Sequence, residues 1–235
     1  MPFRLGRPDK RDFDSDVGPF ATAFPPDAEA GTSRRPWGPA ETEALFRTAN
    51  PRYTDFITRS AVASYGKGIL RILLPGGVPD LITVNGANGW TSEWPGLTGL
   101  APFAYDWLGR LHMVDTRGAW IKAGSVVRFS PGTGDVEAAT PKPCGLDEYV
   151  MDLLPRNARD WLSADYFDDW LAAGGRPLGP TECAAYIVPL TLGGEDDVPN
   201  LAVSDIEVYL SLAAQIHRQT ADMPDGTRID RVSFR

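Results

Sequence analysis

Cysteine, histidine and long apolar runs are what this sequence has least of. Its two cysteines, Cys144 and Cys183, are too few for the disulfide framework of a small secreted domain. With His112 and His217 they make up the soft or borderline metal ligands, and none of the four stands at a paired ligand spacing, so no metal and no cofactor are expected. No apolar stretch approaches the roughly 20 residues that cross a bilayer. The opening MPFRLGRPDKRDFD also lacks the apolar centre of a signal peptide. A cytoplasmic protein without membrane contact is the expectation. Positive charge is in deficit too: 23 Lys and Arg against 31 Asp and Glu leave a net charge of -8 and a pI near 4.8. Direct binding of nucleic acid needs a basic face to neutralise phosphate, and this composition speaks against one. It suits a basic protein partner instead.

At 235 residues the chain can bury a large core, and one domain is expected. Residues 1–38 are rich in Pro, Gly and charge and follow no sustained period, which predicts an N-terminal arm with little regular structure. Its aromatics, Phe3, Phe13, Phe20, Phe24 and Trp37, are too many for a fully solvated tail, so parts of it should lie against the domain over 39–235. Pro39 and Pro51 each mark a helix start, and Tyr53, Phe56 and Ile57 share a face of the second helix. Strands are expected at Ile69–Leu74, Leu111–Val114 and Val126–Phe129, with Leu81–Val84 open to either reading and Ser130–Gly134 forming a turn. These pieces predict successive strands of an antiparallel meander. From Gly145 the pattern turns helical, and Pro155 should stop the first helix. Asn157 can cap a second one carrying Trp161, Leu162, Phe167, Trp170 and Leu171, ended by Gly174-Gly175. Arg228–Phe234 can add a short terminal strand. The fold class is α+β: an antiparallel sheet with helices packed on it, one compact domain behind the arm.

The stretch from Arg176 to Gln219 is the most sharply signalled. Cys183–Val188 is a short apolar run that reads as a buried strand limited by Pro189. Ser204 and Glu207 have capping-box spacing, and Ile206, Tyr209, Leu210, Ala213 and Ile216 then form one apolar stripe of a helix. Between the two elements, Gly193-Gly194 introduces three consecutive acids, Glu195, Asp196 and Asp197. That loop should be held at the surface.

Nothing here resembles catalytic machinery. Gly66-Lys67-Gly68 lacks the spacing and the Ser/Thr of a phosphate loop and reads as a helix stop. The carboxylates Asp106, Asp115, Asp165, Asp168, Asp169, Glu182 and the Glu195–Asp197 run carry no sign that two share a desolvated cleft. Asp165, Asp168 and Asp169 fall three to four apart on one helix and make an acidic face. Both acidic groups read most simply as solvated surface, and alternatively as display toward a basic partner.

Four stretches in order, Ala101–Arg110 (APFAYDWLGR), Phe129–Val136 (FSPGTGDV), Glu182–Gly194 (ECAAYIVPLTLGG) and Asn200–Tyr209 (NLAVSDIEVY), resemble the Tdi-type immunity domain associated with type VI secretion DNase effectors. The resemblance extends over about residues 50–232 and leaves the Pro-rich arm unexplained. It implies an α+β immunity protein, not an enzyme, that binds and neutralises a cognate antibacterial toxin, a nuclease effector. It brings no catalytic residues with it. The partner face expected on these grounds comprises Glu195, Asp196, Asp197, Asp165, Asp168 and Asp169. The competing readings are a hydrolase using carboxylates, an enzyme that reverses toxin damage, and an adaptor of a secretion locus that leaves toxin activity intact.

Overall fold

The computed structural model describes residues 18–27, 50–60, 64–73 and 93–224, with isolated positions beyond. The expected helix after Pro39, the segment Leu81–Val84, Trp37 and most of the terminal strand at Arg228–Phe234 lie outside the described residues. Within the arm, 18–23 is helical, where sequence composition predicted little regular structure. Phe20 and Phe24 are buried, stacked edge-on or tilted against each other and against Phe56 and Tyr65. Phe20 and Phe24 thus enter the core as expected of the arm's aromatics, while Phe3 and Phe13, like Trp37, lie outside the described residues.

Helix α1 (Pro51–Ser60) opens on its proline and buries Tyr53, Phe56 and Ile57. A six-stranded antiparallel meander follows: β1 (Ser64–Tyr65), β2 (Leu70–Ile72), β3 (Leu100–Asp106), β4 (Leu111–Asp115), β5 (Val126–Ser130) and β6 (Asp135–Ala138), paired in sequence order. The aromatic stretch Ala101–Asp106, where no strand was predicted, belongs to the longest strand among the described residues and is buried along its whole length. Pro102 is tolerated there because the register shifts between Pro102 and Ala104, so the missing donor falls at a bulge.

The second half is helical. Leu146–Glu148, Tyr149–Leu153 and Leu154–Trp161 run on as one helix, α2, with a π turn in the middle. Pro155 therefore does not stop the helix. In the π turn the Leu154 N–H reaches back to the Tyr149 carbonyl, so the chain enters Pro155 at the start of a fresh α segment, where no donor is needed. Asn157 does not cap a new helix either; it sits inside α2 with its amide donating to the Leu153 carbonyl at 2.7 Å. The break comes later, at Ser163 in left-handed conformation, before α3 (Ala164–Ala172).

A second, two-stranded sheet pairs β7 (Glu182–Tyr186) with β8 (Leu201–Asp205), and α4 (Ile206–Thr220) leaves directly from β8. The Ala184 N–H donates to the Trp107 carbonyl at 2.6 Å, which ties this sheet to the end of β3. The cap of α4 is Asp205, one residue after the predicted Ser204, and its carboxylate accepts from the Glu207 and Val208 N–H groups. Aspartate outcompetes serine because it brings a charge to the positive end of the helix as well as an acceptor. Asp205→Ala should lower the unfolding free energy by about 1 kcal/mol, measured as a shift in urea midpoint at constant m-value. The predicted stripe of Ile206, Tyr209, Leu210, Ala213 and Ile216 is buried throughout.

Candidate functional site: an apolar groove beside an acidic loop

β7 ends at Tyr186, so Ile187 and Val188, expected inside the strand, project from its end at 62% and 46% exposure. Pro189 and the turn Leu190–Leu192 carry the chain away, and Gly193 takes a left-handed conformation that an L side chain resists. Gly194 then lies so close to the chain that a Cβ would meet the Val188 carbonyl oxygen at 1.9 Å. The returning segment is clamped by Asn200. Its amide donates to the carbonyls of Val188 (2.9 Å) and Glu195 (2.8 Å), while its oxygen accepts the Val188 N–H at 2.8 Å.

The acidic loop is consequently built, not merely exposed. Asp197 accepts the Asn200 N–H, closing the turn Val198–Asn200, and Asp196 accepts the Tyr186 hydroxyl at 2.6 Å. No interaction of the Glu195 side chain appears among the described residues, which leaves it the most available of the three. All three acids are exposed.

Helix α3 packs against the Val198–Asn200 turn, so the two acidic groups expected from sequence sit on neighbouring elements. Burial, together with the charges of Asp196 and Asp197, pushes the Tyr166 phenol up to about 12. That coupling places α3 and the acidic loop within electrostatic reach of each other. Asp165, Asp168 and Asp169 are exposed on α3, with Asp165 paired to Arg159 at 2.8 Å across a well-solvated gap. Such a pair contributes little to stability.

Beside this acidic rim lies a groove of about 570 Å³ that sequence reasoning did not anticipate. Its walls are Ala185–Pro189, Thr191 and Leu192 on one side, Ala202–Ser204 of β8, and Tyr209, Leu212, Ala213, Ile216 and His217 of α4, with Pro131 and Gly132 at one end. Among the described residues no carboxylate, lysine or arginine lines it. Leu212 and Val203 stand 38% and 37% exposed on its walls. A signal for it existed: Leu212 is apolar yet lies off the buried stripe of α4.

The carboxylates whose pKa is shifted lie elsewhere, and each has structural partners. Asp106 is fully buried at the β3–β4 turn; burial alone would raise its pKa, but Arg110 at 2.6 Å and the nearby His112 hold it below the ordinary range. It also accepts the N–H groups of Leu108 and Arg110. His112 Nδ1 meets the Tyr149 hydroxyl at 2.8 Å, while its Nε2 is 3.8 Å from Asp106, beyond hydrogen-bond range. Burial pushes the imidazole pKa down. Asp115 is opposed by burial but held low by the N–H groups of Trp120, Ile121, Ala119 and Gly118, which it accepts in a tight loop. Glu182 is bound by Arg176 at two oxygens and by the Gly179 N–H. Arg71, unremarked in sequence, is buried with Nε on the Gly179 carbonyl and its guanidinium over the Tyr105 ring. These charges organise turns and the core. Both cysteines are buried and free.

Comparison with known proteins falls on the same part of the chain. Residues 145–217 match the model of the C-terminal region of the type VI secretion system immunity protein Tdi1. The match is to the family that the sequence resembles, over a shorter span than the 50–232 expected: of the four motifs, Glu182–Gly194 and Asn200–Tyr209 fall inside it and the other two outside. The crystal structure of Atu4351 from Agrobacterium tumefaciens is similar with a TM-score of 0.54 at 14% identity, over 84% of this chain and 87% of that one. At that identity the likeness concerns the fold. A search of curated proteins finds no match.

Proposed function

We propose that this chain is a type VI secretion immunity protein that binds a cognate toxin, a nuclease effector, and neutralises it stoichiometrically in the cytoplasm. The observation that carries the reading is a coincidence of place. Nearly all of the groove wall, from Ala185 to His217, together with the acidic loop and α3, lies inside the segment 145–217 that matches the immunity family. An apolar centre bordered by charge is the anatomy of a protein interface, in which the buried patch supplies affinity and the rim supplies orientation. A nuclease approaches phosphate with basic surface, and an opposed acidic rim raises the association rate and selects the partner.

An enzymatic reading has less support. Among the described residues the groove has no carboxylate to act as acid or base, and Asp106, Asp115 and Glu182 are each engaged by their own hydrogen bonds. Co-expression tests the proposal in cells. The product of the gene neighbouring this chain's should arrest growth and degrade DNA when produced alone, and do neither when this protein is co-produced. Co-purification with DNA cleavage intact would make the protein an adaptor instead. Failure of the two to associate at all would overturn the reading.

A further inference from the structure

The groove presents main-chain and hydroxyl groups without partners, and these indicate what it holds. In the β7–β8 pairing, Ala184 lies opposite Val203, and the Ala184 N–H points away from β8 to the Trp107 carbonyl. In an antiparallel ladder both residues of such a pair turn their N–H and C=O outward. The neighbouring bond from the Ile187 N–H to the Asn200 carbonyl agrees with that phase. The Val203 N–H and C=O therefore face the open side of β8, where no strand pairs with it among the described residues. Ala202, Val203 and Ser204 all border the groove. Tyr209 lines the same groove, and its hydroxyl is buried with no hydrogen-bond partner among the described residues. A buried hydroxyl without a partner costs stability, so it is poised to bond an acceptor that is missing from the free chain.

Resting on the reading of this chain as a toxin inhibitor, we propose that the groove receives an extended segment of the toxin, which adds as a strand to Val203 on β8 and offers a main-chain carbonyl to the Tyr209 hydroxyl. A helix satisfies its own peptide groups and would leave all these groups unpaired, whereas an extended segment presents free N–H and C=O at strand spacing. Alternate side chains of such a segment point to one face, so apolar residues at alternate positions fill the space between Ile187 and Leu212. A lysine or arginine at the end near Gly194 meets the Glu195–Asp197 rim by charge complementarity.

Two substitutions and one measurement on the unmodified chain test this, using as probe an inactivated form of the product of the neighbouring gene. Proline is tolerated at an edge position whose N–H faces outward, so Val203→Pro should keep the fold and weaken toxin binding about tenfold. Tyr209→Phe removes an unpartnered hydroxyl, so it should leave the free protein as stable or more stable while weakening the complex severalfold. In the unmodified protein, the Val203 amide should exchange rapidly when free and be protected in the complex, a readout that holds even if Val203→Pro fails to fold. Unchanged affinity of Tyr209→Phe together with an unprotected Val203 amide would overturn strand addition and leave the inhibitor reading standing. Protection of Val203 that rises with protein concentration in the absence of toxin would assign the edge to a second copy and also overturn the proposal. No binding of the probe to the unmodified protein would instead defeat the inhibitor reading itself.

Discussion

Replacing Leu212 with glutamate should reduce affinity for the toxin by roughly a hundredfold, about 2.7 kcal/mol, and leave the fold intact. Leu212 stands partly exposed on the wall of the groove, off the buried stripe of α4, so a charged side chain there meets solvent in the free protein. In the complex the same carboxylate is driven into an apolar contact without a partner, and burying an unpaired charge is among the largest single costs available at an interface. Titration calorimetry gives the affinity and a thermal melt the stability. Full-strength binding by a folded Leu212→Glu protein would remove the groove from the interface. The acidic rim works differently. Glu195→Lys should act chiefly on the association rate and be masked by salt, because it changes an exposed charge that holds no structural bond.

Asp106→Ala should destabilise the protein by about 3–5 kcal/mol, because it strips the partner from the Arg110 guanidinium and leaves the turn N–H groups of Leu108 and Arg110 without an acceptor. The same cluster sets an acid limit. The folded pKa of Asp106 is depressed from 3.8, so its contribution is complete above that value and is lost as pH falls through the folded value. His112 is a base lowered from 6.5, so the unfolded chain takes up its proton first and stability declines as pH drops below 6.5. Both signs agree: the urea midpoint should fall between pH 7 and pH 5 through His112 and fall further below pH 4 through Asp106. A midpoint that rises on acidification would contradict the buried-imidazole arrangement, and a loss under 1 kcal/mol in Asp106→Ala would show that water replaces the carboxylate.

Local chemistry made much of this fold readable, and what it missed depends on groups brought together from far along the chain. The stripe on α4, the Pro51 start of α1, the Ser130–Gly134 turn and the meander follow from periodicity and turn residues. Pro155 misled because a proline forbids one hydrogen bond, not a helix, and the π turn before it removes the demand for that bond. Ser204 misled by a single residue because two adjacent capping residues compete and the charged one prevails. Nothing in the local sequence marks Arg71 as buried, because Gly179 and Tyr105, which receive it, lie far along the chain. The acidic loop was visible in sequence, but its fixed shape was not, since Asn200 clamps it from across the loop. The groove was the least legible part: Ile187 and Val188 look like strand core in sequence, and only the end of β7 at Tyr186 leaves them uncovered.

The most direct measurement is a titration of DNA cleavage by the purified toxin domain with increasing amounts of this protein. Cleavage should fall linearly and end at one equivalent, with the end point unmoved by added DNA once the complex has formed. Cleavage that persists beyond several equivalents, with the two proteins separable by size exclusion, would contradict the account.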